Sequence, residues 1–318
     1  MEQKLIGWIE QHLKEHRFAD DAPDSDLPPN VVLGVGDDGA ILAARNLPQV
    51  LVADSIVDQV HFDLNVHDVS DIGHKAIAVN LSDVAAMGAV PESALVSLVL
   101  PRSFTFDKAQ RLFSGITATA DRFGAQVIGG DTCSHDGPLV INVSLTGRIP
   151  CDSNSPHGWR MAGARSGDLI VVSGPLGGSI LGRHLKFEPR LQLASSLQKR
   201  IEIHAATDIS DSLSTDLSHI IRKSNVGAEL DCMKIPVSDA AHELSISSGE
   251  TPLQHALHDG EDFELLLTMS ESSFATLHDD PGFDNTLKAI GRVVDDHVGS
   301  ILNAATFEKI VPSGYEHG

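Results

Sequence analysis

Residues Gly34-Val35-Gly36-Asp37-Asp38-Gly39-Ala40 place the tightest constraint on this chain. Two adjacent carboxylates stand in a glycine frame, directly before the apolar run Ile41-Leu42-Ala43-Ala44. Glycine lets the backbone reach φ > 0 and lets other groups approach closely. Neighbouring aspartates repel each other, so a turn that fixes both calls for positive charge. A hard divalent cation such as Mg²⁺ suits the pair, because it takes oxygen ligands and is commonly held by one or two carboxylates plus substrate phosphates. Taken alone, the stretch reads first as a solvated Asp-Gly turn between two strands. The metal reading gains weight because later stretches repeat the theme.

Residues 3–16 put Leu5, Ile6, Ile9 and Leu13 on one face of an amphipathic helix. Gln49 to Ala53 reads as a strand with Asp54 at its C-terminal end and His61 just beyond. His74 to Gly88 reads as an alanine-rich helix with a glycine stop. On that helix Asn80 and Asp83 share a face, and an ionised Asp83 among apolar neighbours is costly without a partner. A strand over 95–100 and a helix near 107–123 follow. Gln126-Val127-Ile128 is a strand running into Gly129-Gly130-Asp131-Thr132, another glycine-framed carboxylate, and 139–149 alternates as a strand. The first half is therefore expected to be mixed α/β, with loops carrying Asp37, Asp38, Asp54 and Asp131.

Residues 150–167 mix Pro, Gly, Ser and Asn and read as a linker. A second α/β unit opens with the strand Asp168 to Val172 and the glycine-rich turn Gly174-Pro175-Leu176-Gly177-Gly178-Ser179. Such a turn can receive phosphate at a helix start, but this one lacks the Walker lysine. Thr207-Asp208-Ile209-Ser210-Asp211-Ser212-Leu213 opens a helix whose buried face is Leu213, Leu217, Ile220 and Ile221. Asp and Ser there serve as caps, although two aspartates around one serine exceed that need. Gly260-Glu261-Asp262 precedes a strand, Phe263 to Leu267.

Composition narrows the function classes. With 318 residues and 42% apolar content, the chain can bury the core of two domains. A net charge of −21 argues against a nucleic-acid surface. A protein this anionic would need metal ions to handle anionic substrates. The three cysteines show no CxxC spacing and point to a reducing, cytoplasmic setting. No apolar run is long enough to cross a membrane, and the first 17 residues lack a signal-peptide core.

Together these motifs resemble the thiamine-monophosphate kinase family, in the superfamily of aminoimidazole ribonucleotide synthetase. The resemblance rests on Gly34-Val35-Gly36-Asp37-Asp38, on Asp54 with His61-Phe62, on Lys75-Ala76-Ile77-Ala78-Val79-Asn80-Leu81-Ser82-Asp83 and on Gly129-Gly130-Asp131-Thr132. Asp208-Ile209-Ser210-Asp211 and Gly260-Glu261-Asp262-Phe263-Glu264-Leu265 complete it, in the family's order. It implies a two-domain α/β fold, with residues 1–149 forming an ATP- and Mg²⁺-binding domain whose sheet joins a homodimeric β-barrel, and residues 160–318 forming a second α/β domain. It also implies transfer of the ATP γ-phosphoryl group to thiamine monophosphate, in line and without a covalent nucleophile. By resemblance, Asp38, Asp54, Asp83, Asp131, Asp208 and Asp211 hold Mg²⁺. Gly130, Asp131, Ser210 and Arg160 contact ATP, and His61, Glu261 and Tyr315 line the acceptor pocket.

The chain departs from the family pattern in several places. Val52-Ala53 stand where Ser-Thr precede the strand aspartate, Ser212 where a glycine follows Asp-x-Ser-Asp, and Asp259 where a glycine precedes Gly-Glu-Asp. The family's nucleotide-contacting arginine falls at Met161, beside Arg160, and the stretch before His184 is shortened. Two rival readings follow: an ATP-dependent relative with another acceptor, and a non-catalytic nucleotide- or metal-binding paralogue. The retained carboxylates argue against the second, since a chain that bound no metal would have no use for mutually repelling aspartates.

Overall fold

In the computed structural model the described residues are 2–17, 31–34, 39–44, 46–280 and 286–314. Contacts divide the chain into two units, residues 1–81 with 90–148 and residues 82–89 with 149–318. The expected turn at Asp37-Asp38 and the C-terminal Tyr315 lie outside the described residues.

The first unit contains α1 (Glu2–Arg17), the short pair β1 (Val31–Leu33) and β2 (Ile41–Leu42), and β3 (Gln49–Val57). It continues with α2 (Val69–Ala86), β4 (Val90–Pro101), α3 (Phe106–Arg122), β5 (Gln126–His135) and β6 (Val140–Arg148). Its four-stranded sheet runs β3-β6-β4-β5, with β6 antiparallel to both neighbours and β4 parallel to β5. Alternation along β6 buries Ile141, Val143 and Leu145 on one face, as period-2 patterning requires. The other face leaves Leu51 76% and Leu95 44% exposed. Helices α2 and α3 touch backbone to backbone, since a Cβ at Gly73 would overlap the Leu112 carbonyl oxygen and one at Gly115 that of Ser70.

Two sequence expectations change here. Asp54 lies inside β3, opposite Val143 of β6, rather than at a strand end. Asp131 likewise lies within β5 rather than in a turn. In each case the strand runs through the carboxylate, because the partner strands β6 and β4 extend as far and take up its backbone groups.

The second unit takes the last turn of α2 and then β7 (Leu169–Val172), α4 (Arg183–Lys186), α5 (Leu191–Gln198), β8 (Ala205–Asp208), α6 (Leu213–Ser224) and β9 (Gly227–Leu230). After these come α7 (Asp239–Ser248), α8 (Pro252–His258), β10 (Leu265–Met269), α9 (Glu271–His278), β11 (Lys288–Val294), β12 (Ile301–Asn303) and β13 (Lys309–Ile310). The sheet order is β13-β12-β9-β11-β7-β10-β8. Every residue of β7, β8 and β10 is buried, so these strands show no solvent-facing alternation. Helix α6 packs on them through Leu213, Leu217, Ile220 and Ile221, the face expected from its periodicity.

Candidate active site

In the second unit the acidic motif spans a strand end and a helix start. Strand β8 ends at Asp208, which is buried and accepts a 2.5 Å hydrogen bond from Ser82 Oγ in the last turn of α2. The following residues, Ile209 to Ser212, are a loop rather than the opening of a helix. Ser212 is the N-cap of α6, accepting from Thr215 N at 3.0 Å. Its φ of 173° is extended backbone, so the position has no need of glycine, and the hydroxyl supplies the cap. That hydroxyl also donates to the Ser313 carbonyl at 2.6 Å. Ser313 and Gly314, the residues just before Tyr315, therefore rest on the Asp211–Ser214 turn.

A second loop is bonded along the first. Glu261 N donates to Ser210 O (2.7 Å), Phe263 N to Ile209 O (2.8 Å) and Ile209 N to Glu264 O (2.8 Å). Glu261 and Phe263 hold φ of 60° and 51°, left-handed conformations that cost a non-glycine residue energy and collect at functional sites. Gly260 sits so close that a Cβ would lie 2.7 Å from the Ser210 and Asp211 carbonyl oxygens. The structure thus brings Asp208, Ser210, Asp211 and Glu261 together on two paired loops.

Buried polar groups hold these loops. Glu264, 1% exposed, accepts from Arg190 Nε (2.7 Å) and Nη2 (2.5 Å), from Arg183 Nη2 (2.7 Å) and from Ser173 Oγ (2.5 Å). Asp262 accepts from Gly177 N at 3.0 and 2.9 Å, and Asp259 from Gly178 N at 2.8 Å. The amides of the glycine-rich turn are therefore filled by the chain's own carboxylates, and the turn is no phosphate cradle. Burial, only partly offset by Arg183 and Gly177 N, pushes the Asp262 carboxyl up to about 7.

Asp216, on the first turn of α6, was not singled out by the sequence. It accepts from Ser210 N, Asp211 N and Ser212 N, each at 3.1 Å. Burial first, then the neighbouring Asp208 charge, pushes its carboxyl up to about 8. The Asp208 and Asp211 carboxylates beside this buried carboxyl favour a cation, and Asp211 pairs with no Lys or Arg among the described residues. The carboxylate oxygens of Asp208 and Asp211 suit Mg²⁺, which takes oxygen ligands. One oxygen each of Asp211 and Asp216 and a ring nitrogen of His219 lie within 4.8 Å of one another.

In the first unit Asp54 and Asp131 occupy the two outer strands of the sheet, about 14 Å apart along it at the usual strand spacing. Asp54 is half-buried and Asp131 exposed. Gly130 has φ 156°, and a Cβ there would overlap the Val96 carbonyl oxygen. Ile6, Ile9 and Leu13 of α1, with Phe113, Gly130 and Asp131, border a cavity of about 630 Å³ that also reaches Gly34 and Gly39. That volume is typical of small-molecule sites. His61 accepts from Val57 N at 3.1 Å through Nδ1. Its carbonyl receives the fully buried Lys75 ammonium at 2.8 Å, a support the sequence offered only as part of a motif. Asp83 is half-buried in the last turn of α2, and Arg160 is exposed, with its carbonyl bonded to Ala206 N of β8.

Comparison with known proteins gives these features a context. The AIR synthase related protein N-terminal domain matches residues 36–149, and the corresponding C-terminal domain matches residues 160–302. Thiamine-monophosphate kinase of Rhodopirellula baltica is 40% identical over 300 residues, 91% of this chain and 92% of that protein. A crystal structure of thiamine-monophosphate kinase from Stenotrophomonas maltophilia K279a superposes with TM-score 0.73 at 32% identity, covering 90% of this chain and 92% of the other. AaThiL complexed with AMPPCP and TMP gives TM-score 0.75 at 27% identity, covering 98% and 96%.

Proposed function

The chain belongs to the thiamine-monophosphate kinase family of AIR synthase related proteins, and from that premise we propose that it transfers the γ-phosphoryl group of ATP to thiamine monophosphate, yielding thiamine diphosphate. It is an ATP-dependent kinase. The observation that carries the reading is the pairing of the Asp208–Asp211 loop with the Gly260–Glu264 loop. That pairing sets acidic groups suited to metal-bound phosphates beside Glu261, a group suited to a cationic acceptor.

Phosphoryl transfer needs positioning and charge neutralisation more than covalent chemistry. Asp38, Asp54, Asp83, Asp131, Asp208 and Asp211 are assigned to Mg²⁺, which when bound would neutralise phosphate charge. Gly130 and Asp131 border the 630 Å³ cavity of the first unit, which suits the nucleotide; Ser210 and Arg160 are assigned to ATP from the family pattern. His61, Glu261 and Tyr315 are assigned to the acceptor. Lys75 fixes the His61 backbone, and the Glu264 cluster fixes the loop carrying Glu261, so both acceptor groups are held before substrate arrives.

Residues 1–149 and 160–318 are taken as the two functional domains. A homodimer is part of the proposal: β3 and β5 each have one neighbour in their sheet among the described residues, and exposed edges call for a partner. The open sheet face also presents Leu51 and Leu95. A closed barrel from two copies would answer both features and bring Asp54 of one copy toward Asp131 of the other. Cytoplasmic residence is proposed on the three free thiols, Cys133, Cys151 and Cys232. No helix among the described residues is long and apolar enough to cross a membrane.

The test is acceptor choice. With ATP and Mg²⁺, thiamine monophosphate, thiamine and selenide are offered separately and the products resolved by chromatography. Thiamine diphosphate formed from the monophosphate alone is expected. Turnover of either other acceptor in its place would sink the reading.

A further inference from the structure

We propose that Asp216 is a positioning residue that shapes the Asp208–Asp211 turn for metal, without binding the metal itself; this rests on the kinase reading above. A single oxygen, Asp216 Oδ2, accepts from the three consecutive amides of Ser210, Asp211 and Ser212 at 3.1 Å each. Successive N–H groups converging on one point form an anion-binding concavity, and here a side chain of the same chain fills it. The Asp216 side chain is buried, with the residue 3% exposed.

The consequence is geometric. With these amides turned inward, the carbonyls of Ile209 and Ser210 face the other way and accept from Phe263 and Glu261. Every backbone donor from Ile209 to Ser212 is thus taken up, by Glu264 O on one side and by Asp216 on the other. The Asp211 carboxylate is left with no hydrogen bond or ion pair among the described residues, open to a ligand. Without Asp216, three buried or half-buried amides lose their acceptor, a loss costly enough that the turn would rearrange to find others.

Two variants separate support from ligation. Asp216→Asn keeps an oxygen that can accept from the three amides, whereas Asp216→Ser is too short to reach them. The probe is Mn²⁺ alone, titrated by calorimetry against the full-length chain. Amide hydrogen exchange of the metal-free protein is followed at residues 210–212 and in β7 and β10. D216S should bind Mn²⁺ at least tenfold more weakly and exchange at residues 210–212 at least tenfold faster, with β7 and β10 still protected. D216N should stay within about threefold of the parent on both counts.

Loss of Mn²⁺ binding in D216N as severe as in D208N would make Asp216 a ligand and overturn the proposal. So would parental affinity in D216S, or loss of protection throughout the unit, which would make Asp216 a general stabiliser. Parental Mn²⁺ binding in D208N would remove the metal assignment and this inference with it. The expected pattern in a chain that fails to phosphorylate thiamine monophosphate would sink the kinase reading and leave the role of Asp216 standing.

Discussion

Replacing Glu264 with alanine should destabilise the second unit more than any surface change. The carboxylate is 1% exposed and accepts three guanidinium hydrogen bonds and one from Ser173. Its removal takes the shared counter-charge from Arg183 and Arg190 and leaves Arg183 only the more distant Asp262 carboxyl at 3.7 Å. Breaking a buried pair costs about 3–5 kcal/mol, and here the arginine side chains keep 28% and 33% of their exposure, so water offsets part of the loss. The lower end, about 3 kcal/mol, is expected, which for a unit of this size moves the melting midpoint by roughly 6–12 °C. Glu264→Gln keeps the shape and one acceptor oxygen and should lose about half as much. The assay is calorimetric melting of both variants at pH 7.5. A Glu264→Ala midpoint within about 1 °C of the parent would refute the reasoning, since a buried carboxylate holding two arginines cannot be removed at no cost. The same variant should raise KM for the acceptor more than KM for ATP, because the Glu264 carboxylate holds the Arg183 guanidinium, which donates to the Asp262 carbonyl in the loop that carries the left-handed Glu261.

Two further outcomes follow from other parts of the molecule. Gly130→Ala sets a Cβ against the Val96 carbonyl oxygen, so β5 must shift from β4; nucleotide affinity by calorimetry should fall at least tenfold, and an unchanged affinity would detach the cavity from the nucleotide. For Asp262, whose carboxyl is raised to about 7, the folded form holds its proton after the unfolded chain has lost it. Parent stability relative to Asp262→Asn should therefore fall as pH rises from about 4 to about 7, with a slope up to about 1.4 kcal/mol per pH unit, and level off above. Urea midpoints across that range check it, and a difference that grows in the opposite direction would contradict it.

Much of the fold was legible because its signals are local. The periodic faces of α1, α3 and α6 and the alternation of β6 come from spacing alone. The motif Asp208-x-Ser-Asp211 was legible as an acidic exception to ordinary capping, whereas Gly260-Glu261 stood out only through the family resemblance. Strand lengths were less so: nothing near Asp54 or Asp131 marks them as mid-strand, because what extends β3 and β5 is the reach of β6 and β4. Asp216 escaped notice since an acidic residue in a first helical turn is what the helix dipole favours anyway, and only the folded loop shows three amides aimed at it. Ser212 and Asp259, which stand where the family has glycine, proved to be partners, one capping α6 and the other filling the Gly178 amide. The glycine-rich turn misled for the same reason, since its anion is supplied by Asp259 and Asp262 from a loop some eighty residues later in the chain.

The most direct measurement is the fate of the label from γ-labelled ATP in the presence of Mg²⁺ and thiamine monophosphate. Label should appear in the terminal phosphate of thiamine diphosphate, at a rate that vanishes with chelator and returns when Mg²⁺ is restored. Label that stays in ATP, or leaves only as inorganic phosphate while the nucleotide is bound, would contradict the central claim.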